Sequence, residues 1–320
     1  MRTPDEDSWS RAFVIVLAFA SMRGSSFALR TPSGLAAICL LAVVAACSTP
    51  RRSGNGGDDD DGTTDGGVTG DGNNGCADGT ELVYVIDQLT NQLSQFDPST
   101  KVFKDLGSLS CPTMPGATPF SMGVDRQANA FVLYDSGELM EVAINGLACT
   151  KTSWHMQSGL QVFGMGFSTD TAGGSTEHLF IGGGQSQTQA SYTLAMVDPT
   201  TLSATPIGTE PQLPEMTGTG NAELWGFFPD ASMPKVVRFD KTTGVANLTY
   251  PEPMLAGTMT GYAFAHWGGD YWVFLIRNGE PSTNVYQVDG MTGTIKSTTP
   301  TTGRTIVGAG VSTCAPVVIE

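Results

Sequence analysis

A short run of small residues returns five times in this chain at an interval close to 45 residues, and that return constrains the fold more than any other feature. The runs are FSMGVD at 120–125, FGMGFS at 163–168, MTGTGN at 216–221, YAFAHW at 262–267 and VGAGVS at 307–312. Aligned on Gly123, Gly166, Gly218, Ala265 and Gly310, they lie 43, 52, 47 and 45 residues apart. Gly220 would serve as the third anchor as well as Gly218, with the same mean period. A second set is more hydrophobic: LVYVID at 82–87, AFVLYD at 130–135, HLFIGG at 178–183, LWGFFP at 224–229 and YWVFLI at 271–276. Such near-continuous apolar runs suit strands covered on both faces.

A third set ends in turn signals, FDPSTK at 96–101, VDPTTL at 197–202, FDKTTG at 239–244 and VDGMTG at 288–293, with EVAING at 141–146 in the second unit. Aspartate at the head of a turn accepts a hydrogen bond from the backbone two residues on. A more polar run follows each turn. Glycine is abundant, with 40 residues, and long apolar stretches of 3.6-residue period are absent, which is an all-β profile. Five units of four strands predict a five-bladed β-propeller. The first unit lacks an inner strand before LVYVID, while VGAGVS has no unit after it. The C-terminal strand is therefore expected to complete the first blade and close the ring. A β-sandwich, or two smaller β domains, would leave both the period and the orphan strand unexplained.

The N-terminal region reads as targeting sequence. AFVIVLAFA at 12–20 follows the acidic MRTPDED, whereas GLAAICLLAVVAA at 34–46 follows Arg23 and Arg30. An export signal needs a basic flank, 7–15 apolar residues and small residues at the cut. Only the second run meets that pattern, so Met22 is the expected start and 1–46 the signal region. Neither run reaches the roughly 20 residues that span a bilayer. Residues 47–80 follow as an Asp/Gly-rich tether, with seven aspartates in 51–80. Too little of it is apolar to offset the entropy of ordering, and as a flexible chain it reaches on the order of 30 Å. DGNNGCADGTE at 71–81 alternates oxygen ligands with glycine but lacks the full spacing of a calcium loop. The propeller is expected over 81–320.

Charge excludes some partners. Residues 47–320 carry 12 basic against 28 acidic residues, and those after 80 carry 10 against 21. Nucleic acid requires clustered Lys and Arg to neutralise phosphates, and none exists here. Anionic headgroups are disfavoured for the same reason.

Four cysteines fall in or beside the repeats: Cys76, Cys111, Cys149 and Cys314. They allow three pairings. Ring closure brings Cys76 and Cys314 to one end of the same blade, which predicts that pair and leaves Cys111 with Cys149. The strand map places the latter two near opposite ends of neighbouring outer strands. No CxxC spacing suggests a metal site.

No complete catalytic set, cofactor motif or metal motif is present. GxSxG and HExxH are missing, and the glycines at 182–184 lack the lysine of a phosphate loop. Near inner-strand ends lie Asp125, Glu215 and Asp270. Two of these facing one cavity about 5–9 Å apart would suit glycoside hydrolysis, while turn and solvent-facing roles are the alternative. His266, beside Trp267 and followed by Gly268-Gly269-Asp270, falls at a hairpin a ligand can reach. Trp267 suits stacking on a sugar face and filling the wedge between blades equally well; Trp225 and Trp272 fit the wedge better. The candidate ligand-binding residues are therefore His266, Trp267, Asp270, Asp125 and Glu215, with none assigned as catalytic.

Val44-Ala45-Ala46-Cys47 resembles the lipobox of bacterial lipoproteins. That resemblance implies diacylation of Cys47, cleavage before it and acylation of the new amine, which anchors the chain stably to a membrane. Ser48 in the next position implies the outer membrane or cell surface. The other reading is an ordinary cleaved signal with an incidental cysteine. More widely, the tether, FDPSTK, CPTMPGATPFSMGVDR, FGMGF, TGTG, FAHWGGDYW and VGAGVSTCAP resemble secreted or lipid-anchored proteins of myxobacteria-type bacteria with a β-propeller body. The resemblance spans nearly the whole mature chain and implies location and fold, with no activity to carry over. Three functions fit: non-catalytic binding or scaffolding of a glycan or envelope protein, a glycan-active hydrolase or lyase, and a structural part of an envelope assembly. A shared cavity for the three acids would favour the second.

Overall fold

The structure, a computed structural model, describes residues 75–157 and 159–318. The signal region, Cys47 and nearly all of the tether lie outside the described residues. Five antiparallel four-stranded sheets form a five-bladed propeller. Blade 1 contains β1 (Val83–Asp87), β2 (Gln92–Asp97) and β3 (Val102–Ser108); blade 2 contains β4 (Pro119–Val124), β5 (Asn129–Tyr134), β6 (Leu139–Ala143) and β7 (Cys149–Lys151). Blade 3 runs through β8 (Val162–Thr169), β9 (Glu177–Gly184), β10 (Tyr192–Val197) and β11 (Ala204–Glu210). Blade 4 has β12 (Glu215–Gly218), β13 (Leu224–Phe228), β14 (Lys235–Phe239) and β15 (Ala246–Pro251). Blade 5 has β16 (Met259–Trp267), β17 (Asp270–Arg277), β18 (Asn284–Asp289) and β19 (Ile295–Pro300). The last strand, β20 (Ile306–Val311), pairs with β1 and supplies the missing inner strand of blade 1.

The small-residue runs are these inner strands, and close approach explains their composition. A Cβ on Gly218 would stand 2.2 Å from the Phe167 carbonyl oxygen, and one on Gly164 2.2 Å from that of Pro214. Five blades leave a narrow axis, so neighbouring inner strands meet backbone to backbone and side chains there must be small. The second strands are the apolar ones because both their faces are buried. Each hydrophobic cluster lies between adjacent blades. Phe96, Trp272 and Phe274 join blades 1 and 5, and Phe131, Phe163 and Phe167 join blades 2 and 3. The core is thus five wedges, and no blade buries its faces alone. Outer strands alternate exposed and half-buried residues, as in β15 and β19.

The turn aspartates behave as their residue type requires. Asp198 Oδ1 accepts from the N–H groups of Thr200 (2.9 Å) and Thr201 (2.7 Å). Asp240 and Asp289 hold their turns by the same two bonds. Ring closure is secured several times over. β20 aligns Val311 with Val83 and Ala309 with Val85. Cys76 is bonded to Cys314, with Cα atoms 6.0 Å apart, and Trp267 Nε1 donates to the Glu81 carbonyl at 2.6 Å.

Cys111 and Cys149 are also bonded, with Cα atoms 5.2 Å apart. The expected separation of this pair is corrected by the position of Cys111. It lies beyond β3, in the connection that crosses to blade 2, where the chain reaches the start of β7. The bond therefore pins a crossover loop to the outer strand it passes.

Candidate functional site

The axial channel has two unlike ends. At the end where the inner strands finish, Arg126 closes it. Its Nη1 donates to Thr313 Oγ1 (3.0 Å) and the Gly174 carbonyl (3.4 Å), and its Nη2 to Cys76 Sγ (3.3 Å). Glu177 completes the closure by accepting from the Arg126 N–H at 2.9 Å and from Thr313 Oγ1 at 2.6 Å. Burial pushes the Glu177 carboxyl above its ordinary range. These hydrogen bonds join segments of several blades and leave the lower end a plug.

The five sequence candidates do not share one cavity. Asp125 is spent on its own turn: Oδ1 accepts from the N–H groups of Gln127 (2.9 Å) and Asn129 (2.8 Å), and Oδ2 from Asn129 Nδ2 (3.1 Å). Asp270 is held on the face of blade 5 by Lys296 Nζ at 2.7 Å and Gln287 Nε2 at 2.7 Å. Trp267 fills the wedge between blades 5 and 1 with its indole N–H already used. Glu215 lies at the opposite, upper mouth. The three acids are therefore in three environments, and no carboxylate pair for hydrolysis forms among them.

Glu215 opens β12 and is 2 % exposed. Ser121 Oγ, from β4, donates to its Oε1 at 2.5 Å, and the Met165 backbone N–H, from β8, also bonds its carboxylate. Burial pushes this carboxyl well above the usual range, against the effect of both hydrogen bonds. It borders a cavity of about 60 Å³ with Phe120, Tyr262, Gln88 and Gln187 among its walls. Tyr262 is also shared by two adjoining hollows of about 240 and 330 Å³, the larger of which includes Gln187, Gln189 and Gln212.

His266 borders a different space. A cleft of about 400 Å³ opens between blades 4 and 5, lined by Asn221, Glu223, Trp225, Arg238, Tyr250 and His266, with Tyr271 beneath. Hairpin register builds half of it: Trp225 of β13 pairs directly with Arg238 of β14. The guanidinium lies over the indole, 5.6 Å from the ring, and its Nη1 is 3.2 Å from Glu223 Oε1. Tyr250 lies nearly parallel to Trp225, with centroids 6.4 Å apart. Blade 5 supplies His266 and Tyr271, whose rings meet edge-on at 5.6 Å. His266 is 7 % exposed, its backbone N–H bonds Thr217, and neither ring nitrogen has a hydrogen-bond partner among the described residues. Burial outweighs the nearby Glu223 and Asp270 and lowers its pKa to about 4, so the ring is neutral at physiological pH, with one donor and one acceptor.

Sequence reasoning singled out His266 and placed Trp225 in the wedge, where it does pack. It missed Glu223, Arg238, Tyr250 and Tyr262. The signal for the first two was available only through strand register, because Glu223 immediately precedes β13 while Arg238 sits on its hairpin partner β14.

No family model matches the chain, and no curated protein matches it. Among solved structures it is similar to a luciferin-regenerating enzyme, with a TM-score of 0.44 at 10% identity over 73% of this chain and 76% of that one. It is also similar to a chain in the mitotic checkpoint complex, with a TM-score of 0.36 at 11% identity over 70% and 68% of the two chains.

Proposed function

We propose that this is an exported protein of the cell envelope, anchored by acyl chains on Cys47, whose propeller binds a glycan without cleaving it. The cleft between blades 4 and 5 carries the binding reading. A polyhydroxylated ligand needs donors and acceptors side by side next to an apolar face. Here Glu223 accepts, Arg238 donates, and Asn221 and neutral His266 do either, beside the Trp225 and Tyr250 rings. Glu223 is the single carboxylate among the lining residues, whereas hydrolysis of a glycosidic bond ordinarily uses two. Two disulfides support export, since such bonds persist in oxidising compartments.

Thermal unfolding of the purified protein against a panel of envelope oligosaccharides tests the binding reading. A true ligand at about 100 times its Kd adds about 2.7 kcal/mol of stability, which raises Tm by several degrees in a domain of this size. Glu223→Gln should remove most of that rise, because the carboxylate is the strongest acceptor in the cleft. A panel without any shift, or a shift that survives Glu223→Gln unchanged, would sink the assignment.

Anchoring has its own test. Cys47→Ser should move the protein from the membrane fraction to the soluble fraction of a Gram-negative host, since the acyl chains have no other point of attachment in this reading. Continued sedimentation with membranes would refute it.

A further inference from the structure

The upper mouth of the channel holds a second feature that the cleft does not explain. Glu215 is an acid buried against three inner strands with no lysine, arginine or histidine paired to it among the described residues. Buried acids are ordinarily paired with a cation, because desolvating a lone charge is costly. Ser121 and the Met165 N–H orient this carboxyl but supply no countercharge. It also borders the cavity at this mouth. We propose that this mouth is a binding site for a cationic amine, with the ammonium group seated on Glu215.

The walls fit that chemistry. The 60 Å³ cavity has room for an ammonium group, which is about the size of a water molecule. An ammonium carries three donors; Glu215 is an acceptor for one of them, and Gln88 and Gln187 also line the space. Phe120 and Tyr262 are the aromatic walls, and aromatic faces attract cations. The adjoining hollows that meet at Tyr262 give a carbon chain somewhere to lie. The nearby titratable groups are the Tyr262 hydroxyl and, beyond it, that of Tyr192. Burial favours the protonated form of this carboxyl. An entering ammonium favours the charged carboxylate instead, so amine binding and loss of the carboxyl proton to solvent are coupled.

Isothermal titration with 1,5-diaminopentane at pH 7, in two buffers of different ionisation enthalpy, tests this directly. Saturable binding with net proton release is expected, and 1,5-pentanediol, of the same shape without charge, should not bind. Glu215→Gln should weaken the amine at least tenfold. Should that variant fold poorly, Phe120→Ala, which touches the rim and leaves the carboxyl in place, should weaken binding several-fold at unchanged proton release. Absence of amine binding, equal affinity for the diol, full affinity in Glu215→Gln, or tighter binding of calcium or potassium than of the diamine would each overturn the proposal.

Discussion

A protein with both Cys76 and Cys314 changed to serine is expected to lose roughly 4–5 kcal/mol of stability and to melt about 10 °C or more below the parent. The two cysteines are 238 residues apart in sequence, so the bond closes nearly the whole propeller. In the chain-entropy account, the stabilisation grows with the logarithm of the closed loop, because the cross-link removes conformations from the unfolded chain. The native-state role points the same way. β20 is the one inner strand delivered from the far end of the chain, and if it separates from β1 the wedge between blades 1 and 5 opens. The Cys111–Cys149 bond, spanning 38 residues, should contribute roughly 1.5 kcal/mol less on the same relation. Differential scanning calorimetry of the two double mutants compares them. A smaller loss on removing Cys76–Cys314 than on removing Cys111–Cys149 would show that hydrogen bonding and packing, and not the cross-link, hold the ring shut.

Glu252→Gln is expected to stabilise the protein by roughly 2–3 kcal/mol at pH 8 and by almost nothing at pH 4. Glu252 is 2 % exposed and precedes the short 3₁₀ turn Pro253–Leu255 between blades 4 and 5. Its Oε1 has no hydrogen-bond partner among the described residues. Burial raises its pKa from 4.5 to about 7, since nothing nearby stabilises the charged form. A carboxyl with a raised folded pKa binds its proton more tightly folded than unfolded. Its contribution is therefore most favourable below pH 4.5, declines as pH rises from 4.5 to 7, and stays at its least favourable above that. Glutamine has no charge to bury, so the variant and the parent converge in acid and diverge in base. Urea unfolding at pH 4, 6 and 8 measures this. A constant difference across the three would show that the substitution acts through packing alone. His266 works in the opposite direction: with its pKa lowered to about 4, it favours the folded state above pH 6.5 and costs stability as pH falls from 6.5 to 4.

Much of the fold was legible because its determinants are local. The glycine-rich inner strands, the apolar second strands and the Asp-headed turns each declare themselves within about six residues, and their return every 45 residues counts the blades. Even ring closure was readable, because an orphan strand at one end matched a missing strand at the other. The pairing of Cys76 with Cys314 followed from that match. The pairing of Cys111 with Cys149 was reached only by elimination, since a strand map cannot say where a crossover loop passes.

The candidate site was far less legible. Asp125, Glu215 and Asp270 look alike in sequence, as acids near inner-strand ends, yet one holds a turn, one is buried at the upper mouth and one is tied to Lys296 on a blade face. Trp267 and Trp225 both reach the wedges, but only Trp225 also borders a cleft. What the sequence by itself determined is the repeat, the strand order, the turns and the ring-closing strand, because these follow from residue type and spacing along one chain. What only the tertiary structure decided is which end of the channel is plugged, which acid borders the cavity at the upper mouth, and that His266 of one blade faces Glu223, Trp225 and Arg238 of another. Those outcomes depend on how neighbouring blades splay around the axis, and that angle comes from side chains packed in wedges between segments some 45 residues apart.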